Sequence, residues 1–509
     1  MSRRLLLGGA LVVALIAFSL MGAEAPPERA PYIQGRNKTV LVLANMEHGL
    51  TNVHSATAFA LLEKYPDIDV HYGSFGPVEK RAARLSAFAR ARTPEARDII
   101  FHKLKGFSYT EALRVENRTM ENTVHAAGLA GLNTIAKDMQ QYISPWSAES
   151  HLELYHELRA LINEIDPAVI VLDPLFRPGI DATRDLNRQH VIVSPNTLID
   201  NFVGEQPYGA MFWKYPTMAS GLSFPIPLKD VPLNIYLSLI MIRSVVMTPA
   251  LSAKKAILRE KGLKDPINFF GLHRPDVPWI SMTQEGASIP LDVVPPNVTC
   301  AGPILVDSAP AEEQDPELVA WMKKAPTILV NLGSHVIVAM TGGLARVLSA
   351  TNVQVIWKFN KDGEYSDDVL APLQPYVDSG RVKMSNWLPA DPYALLQTGD
   401  IVASLHHGGA SCYHEAVAAG VPHVIFPLWA DLYNYAALVG DLGIGVWACP
   451  ETSPNWSSEC VGDAILKVVD SEASAAIKAK ASQLGAKVQA QPKGREVAAR
   501  EIAKLAYVK

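Results

Sequence analysis

The chain has 509 residues, 49% hydrophobic and 19% charged, enough for two or three α/β domains and too apolar for a disordered chain. Its 46 basic and 51 acidic residues leave a net charge of −5, without the basic footprint of a nucleic-acid binder. Four cysteines with no C-x-x-C pair exclude a disulfide scaffold and a zinc knuckle.

A targeting element stands first, over residues 1–25. Arg3 and Arg4 precede an uncharged run of 18 residues, Leu5–Gly22. At 1.5 Å per helical residue such a run spans about 27 Å, close to the thickness of a bilayer core. Ala23-Glu24-Ala25 has the form of a signal-peptidase site, but Pro26 follows it, so a cleaved signal peptide and a retained signal anchor both stay open. Either one sends the chain into the secretory pathway, to the endoplasmic reticulum lumen or membrane, with secretion if the segment is cleaved. Four N-x-[ST] sequons, at Asn37, Asn117, Asn297 and Asn455, agree with a lumenal glycoprotein.

The remainder alternates strands and helices. Thr39–Ala44 is a continuous apolar run of the kind a buried parallel strand shows; Ala56–Glu63 reads as a helix and Ile68–Tyr72 as the next strand. Residues 79–118 are rich in Arg and Lys and read as a solvated helical face. Ala168–Leu172 is a strand ending at Asp173-Pro174, and His190–Val193 repeats the pattern. Val231–Ala253 is apolar but broken by Pro232, Arg243 and Pro249, so it reads as a buried helix or a membrane-contacting surface. Asp307–Pro316 is acidic and proline-bearing, which is linker composition. The rhythm then restarts with Thr327–Asn331, Val353–Phe359, Val382–Met384, Ile401–Ser404 and His423–Phe426. These boundaries predict an N-terminal domain over 38–306, a linker over 307–320, a second domain over 321–475 and C-terminal helices over 476–509 that pack back across an interdomain cleft.

Ligands of open parallel sheets sit outside the carboxyl ends of the strands. After Ile401–Ser404 comes His406-His407-Gly408-Gly409-Ala410-Ser411-Cys412-Tyr413-His414-Glu415-Ala416. Glycines between a strand and a helix let a phosphate approach the helix N-terminus. Ser411 and Cys412 add small donors there, and Glu415, a turn further on, can accept bonds from ribose hydroxyls. Gly420-Val421-Pro422 leads into a further strand, at whose end Asp431 aims a carboxylate at the same crevice. Trp387-Leu388-Pro389 offers an indole to stack on a base. Gly333-Ser334 ends the first strand of this half. His406, His407 and His414 have no metal-ligand spacing, so no metal is expected.

Taken in order, Gly333-Ser334, Trp357-Lys358, Trp387-x-Pro389, His407-x-Gly409, Glu415-Ala416, Gly420-Val421-Pro422, Pro427 and Asp431 resemble the nucleotide-sugar signature of the UDP-glycosyltransferases, glycosyltransferase family 1. The similarity covers about residues 327–450. It is greatest toward the fungal branch, through HHGGASCYHEA and PLWADLYNYA. The resemblance implies the GT-B fold, two facing Rossmann-like domains with a cleft between them. It also implies an inverting transfer from a UDP-sugar, UDP-glucose by default, to a small hydrophobic hydroxyl acceptor without a metal or other cofactor. By the same resemblance Trp387 stacks on uracil, Ser334 and His407 lie at the phosphates with Gly409, Ser411 and Cys412 beside them, Glu415 holds the ribose and Asp431 the sugar hydroxyls. Ala390, Ser411-Cys412 and Asp431-Leu432 depart from residues common in the family, and the last removes a sugar-reading amide.

The family's base is a His after the first strand, oriented by an Asp. Asp173 matches the Asp. Leu50 stands in the His register, leaving His54 on the same helix face as first candidate and His48, read as a loop residue, as second. Two other readings stay open: a GT-B nucleotide-sugar epimerase, and a non-catalytic sugar-nucleotide-binding accessory subunit.

Overall fold

Seven apolar segments of the first half pair side by side as β1 (Arg36–Leu43), β2 (Asp69–Ser74), β3 (Ile100–Lys103), β4 (Pro167–Leu172), β5 (His190–Ser194), β6 (Trp279–Ser281) and β7 (Val298–Cys300). The computed structural model containing them describes residues 30–115, 123–332, 337–359, 367–386 and 388–507; the targeting segment, the Asn117 sequon, Ser334 and Trp387 lie outside the described residues. The sheet is parallel throughout, in the order β3-β2-β1-β4-β5-β6-β7. A second parallel sheet is built from β8 (Thr327–Asn331), β9 (Gln354–Lys358), β10 (Val382–Ser385), β11 (Ile401–His406), β12 (His423–Ile425) and β13 (Gly445–Trp447), in the order β10-β9-β8-β11-β12-β13. Strand order reverses between β1 and β4 in one sheet and between β8 and β11 in the other. Those switch points leave a crevice beyond the strand ends.

Helix α1 (His48–Lys64) begins eight residues before the predicted Ala56. Its body is apolar on nearly every side, with Val53, Ala56, Ala58, Phe59, Ala60, Leu61 and Leu62 all buried, so no amphipathic period marked its start. His48 is therefore a residue of the first helical turn and not of a loop. Helix α2 (Glu79–Arg92) follows β2, and α3 (Gly128–Ile143) and α4 (Ala148–Ile165) cover the opposite face. Val231–Ala253 divides into α5 (Val231–Val246) and α6 (Pro249–Glu260). Pro232 and Pro249 each fall in a first helical turn, where no backbone N–H is needed.

In the second half α7 (Ala410–Ala419) follows β11 and α8 (Leu432–Leu442) follows β12. Helices α9 (Ser474–Gln489) and α10 (Gly494–Ala506) end the described chain. Helix α10 leaves its own half and packs on α1, β1 and β4, burying Ala498, Ala499, Ile502, Ala503 and Ala506. Asp307 anchors this crossing. It accepts from Arg92 of α2 at 2.6 Å and from Arg495 of α10 at 2.5 Å. Cys449 and Cys460 form a disulfide with their Cα atoms 5.9 Å apart.

Candidate functional site

Strand β11 runs two residues past Ser404, so His406 belongs to the strand and the turn is His407-Gly408-Gly409. Gly408 has φ 95°, and a Cβ there would lie 2.8 Å from the Ile425 side chain and 3.2 Å from the Leu432 carbonyl, so only glycine fits. Gly409 caps α7 without a side-chain hydrogen bond, which leaves the first-turn N–H groups open toward the cleft. The His407 ring lies over Gly409 and 5.9 Å from the Trp429 ring.

A cavity of about 650 Å³ opens in front of this turn, within the range of small-molecule sites. His407, Gly409, Ser411, Cys412 and Glu415 line it, as do Leu388 and Pro389, the described neighbours of Trp387. Asn331, opposite His406 across the β8–β11 switch point, donates to the Cys412 sulfur at 3.6 Å. Burial raises the Cys412 thiol, so it is protonated and no nucleophile. Burial, then repulsion from Asp391, pushes Glu415 up to about 8, against the pull of Lys358. A groove of about 680 Å³ over Trp321 and Arg381 has no comparable chemistry, because the Arg381 guanidinium is spent on the Leu348, Thr351 and Val353 carbonyls.

The N-terminal domain supplies the facing wall, and here the sequence reading needs correction. His54 does not reach the cleft. It is fully buried in α1, neither ring nitrogen has a hydrogen-bond partner among the described residues, and burial depresses it to about 3. Asp173 orients no imidazole among the described residues. Its carboxylate accepts from the Asn45 side chain at 3.0 Å, the Asn45 backbone at 3.2 Å and the Leu175 backbone at 2.8 Å. Asn45 thus makes the contact with Asp173 that was expected of a histidine. Burial still lifts Asp173 to about 6.

His48 does line the cavity. It is depressed to about 4 by burial, then by the positive charges of Arg81, Lys358 and Arg84. Arg81 and Arg84 also line the cavity, so part of the basic segment read as a solvated face points into the cleft. Among the described residues Arg81 makes no salt bridge; it donates to Asn52 Oδ1 at 2.8 Å and to His48 Nδ1 at 2.6 Å. Burial lowers its pKa, outweighing the opposite pull of Tyr72 and Asp391.

Asp431 sits at the start of α8, where it accepts backbone bonds from Asn434 and Tyr435. Burial pushes it upward, and burial with repulsion from Asp431 does the same to Asp200 of the N-terminal domain. The two domains meet beside this pair. His125 donates its backbone N–H to the Leu428 carbonyl at 2.9 Å, and its Nε2 accepts from the Ala430 backbone at 2.9 Å. Nothing in the sequence marked His125 or Asp200. Among the described residues no group of His, Cys, Asp and Glu is arranged to hold a metal ion.

Two facing parallel-sheet domains with a nucleotide-sized cleft across their switch points define the GT-B class of α/β proteins. The family model described as "Erythromycin biosynthesis protein CIII-like, C-terminal domain" matches residues 376–504. The glycosyltransferase sdnJ of Sordaria araneosa is 31% identical over 435 residues, covering 82% of this chain and 84% of sdnJ. The 2-hydroxyacylsphingosine 1-beta-galactosyltransferase of Mus musculus is 28% identical over 201 residues, 38% of this chain and 33% of that enzyme. A UDP-glucosyltransferase from Polygonum tinctorium superimposes with a TM-score of 0.61 at 16% identity, covering 94% of this chain and 100% of that one. The chain belongs to the UDP-glycosyltransferase family and is a glycosyltransferase.

Proposed function

We propose that the protein transfers a sugar from a UDP-sugar, UDP-glucose first, to the hydroxyl of a small lipophilic acceptor with inversion at the anomeric carbon. The observation that carries this reading is the open N-terminus of α7, framed by His407 and Glu415 in one cavity. Helix N-termini bind phosphate through free N–H groups and the helix dipole. Glu415 lies one turn along and suits ribose hydroxyls. The 2-hydroxyacylsphingosine named for the murine relative favours a lipophilic acceptor.

The acceptor oxygen attacks C1 from the face opposite the diphosphate. The C1–O bond to the diphosphate breaks, and the leaving charge falls on the α7 N-terminus, His407 and Arg81. The acceptor proton goes to His48, which is neutral above its depressed pKa. Arg81 occupies the Nδ1 lone pair of His48. A bound diphosphate draws the guanidinium away and releases that lone pair. General-base assistance of this kind is worth about 10²–10⁴ in rate.

We further propose that the chain enters the secretory pathway through residues 1–25. The Cys449–Cys460 disulfide agrees with an oxidising compartment. Asn37 and Asn455 are exposed sequons. The Asn297 amide is taken up by the Arg274 and Val277 carbonyls and is a poor glycan site.

The test is product formation from several UDP-sugars with a panel of hydrophobic alcohols and phenols. UDP release with a glycosylated acceptor supports the reading. A new UDP-sugar formed from donor alone would mean epimerisation instead.

A further inference from the structure

Helix α5 packs Leu237 and parts of Ile240, Met241 and Val245 against the core but leaves other large apolar residues uncovered. Its buried face carries Asn234, Leu237, Ser238 and Ser244, while Leu233, Tyr236, Val246 and Met247 are exposed, with Arg243 among them. The exposed positions recur at helical spacing and form one stripe. The surface continues on both sides. Asn234 donates to the Met211 and Phe212 carbonyls and so holds the turn bearing half-exposed Trp213 against α5. Leu228 is 91% exposed just before α5, Ile257 is exposed on α6, and Phe270 is 71% exposed in the loop beyond. An exposed apolar area of this extent marks an interaction site in a soluble chain.

The surroundings are basic. Between Leu228 and Lys264 lie seven Lys and Arg and two acidic residues, in a chain whose net charge is −5. Tyr236 and Trp213 are amphipathic rings suited to a headgroup boundary. The described chain also begins at this edge. The Pro31 carbonyl accepts from Asn187, and two residues earlier Asp185 accepts from the Lys264 backbone at 3.2 Å. Arg184 holds the Gly271 and Leu272 carbonyls beside Phe270.

We propose that α5, α6 and the 261–272 loop form a docking surface that lies on a phospholipid bilayer with anionic headgroups. The apolar stripe enters the acyl boundary, and Lys229, Arg243, Lys255 and Lys261 meet the phosphates. A helix that places an apolar face and basic residues in the interface plane binds by this combination. The surface works alongside residues 5–22, and two such signals together hold a protein on a membrane where one is marginal.

The test uses the full chain carrying Cys300→Ser, which removes the exposed free thiol. Met247→Cys, Tyr236→Cys or, as a remote control, Lys487→Cys is then labelled with an environment-sensitive fluorophore. Each protein is reconstituted into phosphatidylcholine vesicles with or without phosphatidylserine, using lipids brominated in the acyl chains, and read against the unsubstituted Cys300→Ser background. Docking predicts emission at positions 247 and 236 blue-shifted and quenched several-fold more than at 487. It also predicts that quenching grows with phosphatidylserine and falls in Lys229→Glu/Arg243→Glu. Quenching no greater than at 487 overturns the proposal. So does a blue shift without bromolipid quenching, which would mean that a second copy or residues 5–22 cover the face.

Discussion

His48 and Asp173 both lie near the first strand end, and their shifted pKa values separate their roles. His48 is neutral down to about pH 4, whereas Asp173 remains protonated up to about 6. If His48 takes the acceptor proton, kcat/KM with a non-titrating acceptor stays level from neutrality to about pH 5 and falls only toward 4. An acid limb centred near 6 would move the role to Asp173. His48→Ala should lower kcat about 10²-fold or more, and His54→Leu should leave it near wild type, because His54 fills core volume and touches no substrate. Arg81→Met removes a charge whose hydrogen bonds go only to the uncharged Asn52 and His48 side chains. Lost charge-assisted bonds to phosphate cost about 1.5–3 kcal/mol, so UDP should bind about 10- to 100-fold more weakly, with kcat lowered too. Calorimetry with UDP reads the first effect, and unchanged affinity would remove Arg81 from the diphosphate site.

The donor half of the site was legible because one contiguous stretch, β11–turn–α7, carries most of it: Gly408, Gly409, Ser411, Cys412 and Glu415 need no long-range information. The facing wall was not. Asn45 meets Asp173 across 128 positions, and Arg81 meets His48 across 33, so neither contact leaves a local pattern. Helix α1 hid its first two turns because it is buried on most sides. Strands β6, β7 and β13 are three residues each, too short for a period to show. Glycine chemistry, by contrast, is local. Gly408→Ala should disturb the turn and weaken UDP binding more than the same change at Gly380, which has open space around it and φ 75°. Equal UDP affinity in the two variants would show that the β11–α7 turn tolerates a side chain.

The two halves are held together by α10 and Asp307, and by His125, which bonds to the loop before Asp431. Ile502 of α10 is fully buried against the first domain. Ile502→Ala should cost about 2–5 kcal/mol and be visible as a lowered Tm in thermal unfolding. Acid should also unfold the protein early. His54, His190 and His423 are depressed to about 3 and His414 to about 4 by burial. Unfolded imidazoles titrate near 6.5, so these groups contribute stability that is complete above that pH and is lost as pH falls below it. Asp173 and Glu415 act in the opposite sense, being stabilised when neutral and costing stability as pH rises through about 6 and 8. Asp200 and Asp431 act as Asp173 does, but burial also lowers His48, His71, His102, His125 and His406, so the imidazoles outnumber the carboxyls and Tm should fall between pH 7 and 5. A level or rising Tm over that range would show the imidazoles to be charged in the fold.

The function rests on UDP lying at the N-terminus of α7. Calorimetric titration of UDP into the wild-type protein, His407→Ala and Glu415→Ala decides it, with thermal unfolding of each as a check on the fold. Both variants should keep the wild-type Tm to within a few degrees and bind UDP at least about tenfold more weakly, the cost of leaving a polar group of the nucleotide without its partner. Wild-type affinity in both variants would contradict the site.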